Sequence, residues 1–160
     1  MKIGVIIIFH NNEEQIDPAF FIQQINQANN LELCLVNNHS KDRTYKLLND
    51  IKEQCSNVSV VNIKKFKSDV SAVKAGARFM FNQFNLEHLG YATTNLLKTK
   101  REGLNGLIKA ITENQQVIVE YNTQQLDTQT IKLTLYQKLF SVMDYLKKLQ
   151  VDNQFVKLQY

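Results

Sequence analysis

The chain is poor in the residues that break or staple a backbone. It holds one proline and five glycines in 160 residues, so loops must be located from changes of periodicity and from asparagine-rich breaks. Its two cysteines, Cys34 and Cys55, are too few to frame a small disulfide-built domain, and they lack metal-site spacing. Each sits in or near an apolar segment and is expected to be a reduced thiol in or near the core. No apolar run approaches the roughly 20 residues that a membrane-spanning helix needs. The first run, Ile3 to Phe9, is too short for a secretory signal. It passes directly into His10-Asn11-Asn12-Glu13-Glu14, without a small-residue cleavage site. Export is not expected. The expected location is cytoplasmic, with contact at the inner face of the membrane as an added option. A large excess of one charge is missing too. Lys+Arg number 19 against 15 Asp+Glu, a dispersed net +4, which argues against nucleic acid as a partner.

What is present suits one globular domain over residues 1–160. Hydrophobic residues make up 44% and charged residues 21%, close to globular averages, and a chain of this length buries about 70% of its unfolded surface. The 17 asparagines and 15 glutamines make one residue in five an amide. This abundance bears on metal binding, because an amide does not hold a divalent cation as a carboxylate does.

Periodicity gives the organisation. Ile3 to Phe9, Leu31 to Val36 and Val58 to Ile63 are short apolar, mostly β-branched runs, as expected of strands covered on both faces. Leu89 to Ala92 reads as a fourth strand and Gln116 to Tyr121 as a fifth. Helical spacing marks Phe20 to Ile25, Tyr45 to Ile51, Ser71 to Phe84 and Gly103 to Ile111. An amphipathic helix is expected near 131–150, with Leu135, Leu139, Val142, Met143, Leu146 and Leu149 on its apolar face. Alternating strands and helices predict an α/β fold with an open, mostly parallel sheet and helices on both faces. Such sheets bind ligands beyond the carboxyl ends of their strands. Neither a G-x-G-x-x-G nor a P-loop motif is found.

Val36-Asn37-Asn38-His39-Ser40-Lys41-Asp42-Arg43-Thr44 resembles the V-D-D-G-S-x-D-x-T signature of family 2 glycosyltransferases. Ile8-Phe9-His10-Asn11-Asn12-Glu13-Glu14 sits where that family has I-P-x-Y-N-E-E. Ser68 to Gly76 is similar to its G-x-x-x-A-x-x-x-G stretch, with Ser68 in place of the first glycine. Gly90 to Asn95 lies where the family has an apolar strand closing on D-x-D. Val117-Ile118-Val119, the C-terminal helix and Phe155-Val156-Lys157-Leu158 look like the polyprenyl-phosphate sugar transferase subgroup. The resemblance covers residues 1–95 well and the rest weakly, in a shortened chain without the family's acceptor-binding segments.

The resemblance implies a nucleotide-diphospho-sugar transferase (GT-A) fold and sugar transfer from a nucleotide-sugar. It points to Phe9, Asn11, Asn37, Asn38, Lys67, Thr93, Thr94 and Asn95 as nucleotide-binding candidates, with Asn37 and Asn38 at the base-gripping acids and Asn11 at the stacking aromatic. In the family the D-x-D carboxylates hold Mg²⁺ or Mn²⁺, which neutralises the departing diphosphate. Here Thr93-Thr94-Asn95 offers no carboxylate, so no cofactor and no metal ligand is expected. A charge pair at 4 Å is worth about 4 kcal/mol at an effective dielectric of 20, and neutral oxygens do not replace it. The subgroup's phosphate-binding arginine is Asn122. Lys98, Lys100 and Arg101 are candidates to neutralise a diphosphate without metal, although a charge run is more often a solvated face.

No catalytic residue is assigned. His10 and His39, with Asp42, could form a proton-transfer pair, but no nucleophile accompanies them and polar loop roles are preferred. Asp42 and Thr44 are expected to cap the following helix, Glu13 and Glu14 to favour a helix start, and His88 to lie in a turn. The function expected is that of a family 2-like glycosyltransferase, weak or inactive. The alternative is a non-catalytic binding or assembly module. Expected partners are a nucleotide-sugar, a second copy or a complete transferase, with peripheral membrane contact through the C-terminal helix as a lesser option.

Overall fold

The run Ile3–Phe9 forms β1, at the centre of a five-stranded sheet ordered β3-β2-β1-β4-β5. The structure is a computed structural model describing residues 2–97 and 101–149. Strand β2 is Leu31–Asn38, β3 is Val58–Ile63, β4 is His88–Thr93 and β5 is Phe140–Ser141. Every pairing is parallel. Between them run α1 (Pro18–Asn26), α2 (Thr44–Gln54), α3 (Asp69–Gln83), α4 (Arg101–Glu113), α5 (Gln115–Asp127) and, last, α6 (Val142–Lys148). The α/β class and the parallel sheet with helices on both faces are as the sequence predicts.

Period-two alternation in β1 and β2 decides which helices cover which face. Ile3, Val5, Ile7 and Phe9, with Leu31, Leu33 and Leu35, meet Phe21 and Ile25 of α1, Leu48 and Ile51 of α2, and Leu104 and Leu107 of α4. Ile6 and Ile8, with Cys34 and Val36, meet Ala72, Ala77 and Met80 of α3. Helix α3 lies close to the sheet because Gly76 has no side chain. A Cβ there would stand 2.7 Å from Ile6 Cγ2 and 3.1 Å from Val36 Cγ2. The A-x-x-x-G spacing is thus a packing device. Burial pushes the Cys34 thiol up to about 12, so it stays protonated in the core.

Three expectations are corrected. Gln116 to Tyr121 is not a strand but part of α5, where Ile118 and Asn122, four residues apart, share the buried face. A short apolar run does not by itself distinguish strand from helix. The fifth strand is instead the two-residue β5. The helix expected near 131–150 is shorter, Val142–Lys148, preceded by a 3₁₀ turn at Tyr136–Lys138. Its predicted stripe is divided. Val142 and Leu146 join the cluster under α1, α2 and α4, whereas Leu139 packs on the α3 side. With Val142 and Leu146 fully buried, this face of α6 serves the sheet and not a lipid surface or a second copy. Among the described residues no helix is long and apolar enough to cross a membrane. Glu13 and Glu14 precede α1, which is capped by Asp17 accepting from the Phe20 amide, with Pro18 in the first turn.

His88, expected in a turn, opens β4 and is buried. Its Nδ1 lies 2.7 Å from Asn122 Nδ2, and Tyr145 Oη donates to Asn122 Oδ1 at 2.7 Å. This chain ties β4, α5 and α6 together. Asn122 therefore sits at the amino end of β4, opposite the edge where a phosphate-binding residue belongs. Burial lowers the His88 pKa below its ordinary value, against an opposing pull from Glu87. The unfolded imidazole takes up a proton near pH 6.5 while the folded one resists, so stability is present above about pH 6.5 and falls as the pH drops below it. Urea unfolding at pH 7.5 and 5.5 should show a larger loss for the wild type than for His88→Gln. Equal losses would exclude His88 as the source.

Candidate functional site

Three loops meet at the carboxyl edge of the sheet, and the S-x-D-x-T segment joins two of them. Ser40 Oγ accepts the amide of Asn11 at 3.0 Å, Thr44 Oγ1 that of Asn12 at 2.7 Å, and Asp42 Oδ2 that of Glu13 at 3.1 Å. Three consecutive amides after β1 are thus received by three alternate side chains after β2. Asp42 Oδ1 also accepts from the Thr44 amide at 2.9 Å, a bond to the first residue of α2, while the cap position expected of Asp42 or Thr44 falls on Arg43, which makes no side-chain capping bond. Burial raises the Asp42 carboxyl, but the hydrogen bonds from Thr44 and Glu13 outweigh that and hold it below its ordinary value. Asn11 Oδ1 returns a bond by accepting from the Lys41 amide at 2.8 Å.

Two residues in these loops are left-handed, Asn11 at φ 52° and His39 at φ 54°. Asparagine tolerates that region. His39 occupies the glycine place of the V-D-D-G-S signature, and the backbone keeps the conformation for which glycine is suited.

Asn12 extends the bonding to the third loop. Its buried Oδ1 accepts from the His10 amide at 2.7 Å and lies 3.1 Å from Thr94 Oγ1, and its Nδ2 bonds Gln15. Thr94 Oγ1 also donates to the Ile8 carbonyl at 2.9 Å. The third loop begins with a 3₁₀ turn over Thr94–Leu96. Between it and the first two loops lies a cavity of about 260 Å³, reached by Asn11, Asn38, Phe66, Asp69, Thr94 and Asn95, with His10 at its wall.

The predicted site residues divide. Asn11, Asn38, Thr94 and Asn95 line this cavity. Asn38 is buried and used by the scaffold, donating to the Lys67 carbonyl at 2.8 Å and accepting from the Lys67 amide at 3.1 Å. Lys67 takes part through its backbone, and its side chain is exposed. Asn37 is buried on the other face of the sheet and donates to Asn62 Oδ1 at 2.9 Å. Its Oδ1 has no hydrogen-bond partner among the described residues. Phe9 is wholly buried in the α1-side core, and neither it nor Thr93 lines this cavity. Lys98 and Lys100 lie outside the described residues, as do Phe155 to Leu158, and of Arg101 only the backbone that opens α4 is described.

His10 and His39 do not make a proton-transfer pair. His10 Nδ1 bonds the Asn38 carbonyl at 2.7 Å, and Asn11 Nδ2 reaches Nε2 at 3.2 Å. With a carbonyl on Nδ1 and a side-chain amide on Nε2, both ring nitrogens are engaged. Phe66, Asp69 and Gln15 were not singled out by sequence. Phe66 is an aromatic side chain in an otherwise polar stretch, 56% exposed, and this was the one signal available.

A divalent cation does not fit these residues. Thr94 directs its hydroxyl at a backbone carbonyl. Asn95 donates its amide to Asp69 Oδ2 at 2.8 Å, so the one carboxylate on the cavity wall among the described residues is already engaged. Among the described residues there is no group of three or more His, Cys, Asp or Glu side chains that could hold a metal. Two substitutions test the scaffold reading of the edge. Thr44→Val strands the buried Asn12 amide and should cost about 1–3 kcal/mol in urea unfolding, whereas Thr44→Ser should retain most of the stability. Asn38→Asp replaces the N–H donor to Lys67 with a carboxylate facing a carbonyl. It should cost a similar amount at pH 7, and less at pH 4, where the acid regains a proton to donate.

An open parallel α/β sheet flanked by helices is an architecture this chain shares with solved glycosyltransferases of GT-A type. The crystal structure of S. aureus TarS 1-349 aligns with a TM-score of 0.51 and 13% identity, over 77% of this chain and 33% of that one. The same protein in complex with UDP-GlcNAc gives 0.51 at 12% identity, over 77% and 32%, and in complex with UDP 0.50 at 13%, over 77% and 33%. At such identities the fold is what is shared, and this chain spans about a third of the length of those structures. No curated protein sequence matches the chain. The model of glycosyl transferase family 2 matches residues 4–84. The chain belongs to that family.

Proposed function

We propose that this domain binds a nucleotide-sugar at the carboxyl edge of its sheet without a carboxylate-held metal, and that transfer from the donor is weak or lost. The observation that carries the reading is the state of Thr93-Thr94-Asn95. The Thr94 hydroxyl is bonded inward to Ile8, and the Asn95 amide is bonded sideways to Asp69. Neither is in a position to grip a cation beside a diphosphate, which is where the leaving-group charge grows. Donor recognition has a different physical basis, hydrogen bonds and ring contacts, and the amides at the edge of the sheet supply them. TarS has been crystallised with UDP-GlcNAc and with UDP, and the shared fold makes that ligand class the one to try first.

The polyprenyl-phosphate subgroup finds little further support. Two of its features, the strand at 116–121 and a phosphate contact at Asn122, fall away with the geometry of α5. A second reading, a non-catalytic assembly module, is favoured by the apolar side chains of Val70, Ile131 and Leu135, which are 65%, 70% and 53% exposed. Such exposure suits a partner or a second copy of the chain.

Isothermal titration with UDP-, GDP- and dTDP-sugars, with and without Mn²⁺, tests the proposal. Binding of at least one donor is expected, with an affinity that Mn²⁺ leaves unchanged within about two-fold. A ten-fold gain on adding Mn²⁺, a difference of about 1.4 kcal/mol, would overturn the metal-free reading. No binding of any donor would leave the assembly reading, which sedimentation velocity then examines.

A further inference from the structure

The cavity has one aromatic wall that no motif supplies. Phe66 lies in the loop between β3 and α3, and its ring meets His10 edge-to-face, with centroids 4.9 Å apart and planes at 64°. Such a pair leaves a broad ring face turned away from the partner. His10 cannot swing aside, because both of its nitrogens are bonded. Phe66 is nevertheless 56% exposed. A large apolar ring steadied by a fixed neighbour, over a cavity and not buried in it, is arranged to receive another flat group. The position at which the family resemblance expects the stacking aromatic is Asn11, which is committed to Ser40 and Lys41.

We propose that Phe66, steadied by His10, is the face on which the nucleobase of the donor stacks, so that this chain grips the base from the β3–α3 loop. The inference rests on the donor-binding reading above and adds the residue that carries it. The cavity's size agrees. At about 260 Å³ it falls just below the roughly 300–1,000 Å³ typical of pockets that enclose a whole drug-sized ligand, so it admits a ring and leaves the remainder outside. Its chemistry agrees as well. Asn11, Asn12, Gln15, Asn38 and Asn95 place amides around it, several of them also bonded to protein partners, and among the described residues Asp69 is the one formally charged side chain on its lining. Amides carry both donors and acceptors, which the edge of a neutral heteroaromatic ring requires.

The test uses uncharged nucleosides (uridine, guanosine and thymidine) beside the corresponding nucleotide-sugars, titrated into the wild type, Phe66→Ala and Phe66→Tyr. At least one nucleoside should bind the wild type. Phe66→Ala should weaken it about ten-fold or more, as loss of a stacking platform does, and Phe66→Tyr should stay within about three-fold. Circular dichroism of Phe66→Ala should be unchanged, since the side chain contributes little to the core. Equal binding by wild type and Phe66→Ala would overturn this inference and leave the donor-binding reading standing. No binding of any nucleoside or nucleotide-sugar to the wild type would overturn both.

Discussion

The carboxyl edge of this domain depends on the transfer of three backbone amides, those of Asn11, Asn12 and Glu13, to the side-chain oxygens of Ser40, Thr44 and Asp42. A loop leaving a central strand must satisfy its amides somewhere, and burying one unpaired costs about 1–3 kcal/mol. Here the neighbouring loop supplies the acceptors. Through Asn12 the same bonding reaches Thr94, after β4. Three of the loops around the cavity, those after β1, β2 and β4, are therefore one cross-linked unit. This gives the S-x-D-x-T segment after Asn37-Asn38 a structural role.

Those amides have a consistent electrostatic logic. Asn37 and Asn38 are nearly inaccessible to water, and an ionised carboxylate in either place needs a cation or several donors to offset its desolvation. Among the described residues neither is provided with one. Asn38 instead behaves as a piece of backbone, donating to and accepting from Lys67, a double role no carboxylate can fill. At the end of β4 hydroxyl and amide groups are likewise turned to protein partners. Among the described residues this edge is a hollow lined mostly by amides, with one carboxylate, Asp69, and an aromatic rim.

Most of the sheet was legible because its signal is local. Four apolar runs with turn residues after them gave β1 to β4 within two residues at each end, and burial on both faces explains why those runs are continuous and not alternating. The signal failed where one apolar stripe served two surfaces. Val117-Ile118-Val119 has the β-branched character of a strand, yet only Ile118 is buried, and with Asn122 it faces inward from a helix. Leu139 and Val142 look like neighbours on one helical face, and they pack on opposite sides of the sheet. His88 gave no sign of its partners, because Asn122 and Tyr145 approach it from segments far along the chain.

The amino-acid order by itself determined the alternation of strand and helix, the parallel class of the sheet and the family signature over the first half of the chain. These follow from hydrophobic period and short-range motifs, which neighbouring residues specify without reference to the rest of the fold. Only the tertiary structure decided what each polar residue of that edge does. Asn38 pairs with a backbone segment, His10 is bonded through both ring nitrogens, Thr94 faces inward, and Phe66 stands at the rim. A hydrogen bond or ring contact is set by which loops the sheet brings together, and residues such as His10 and Phe66, distant in sequence, become neighbours only once β1, β2 and β3 lie side by side.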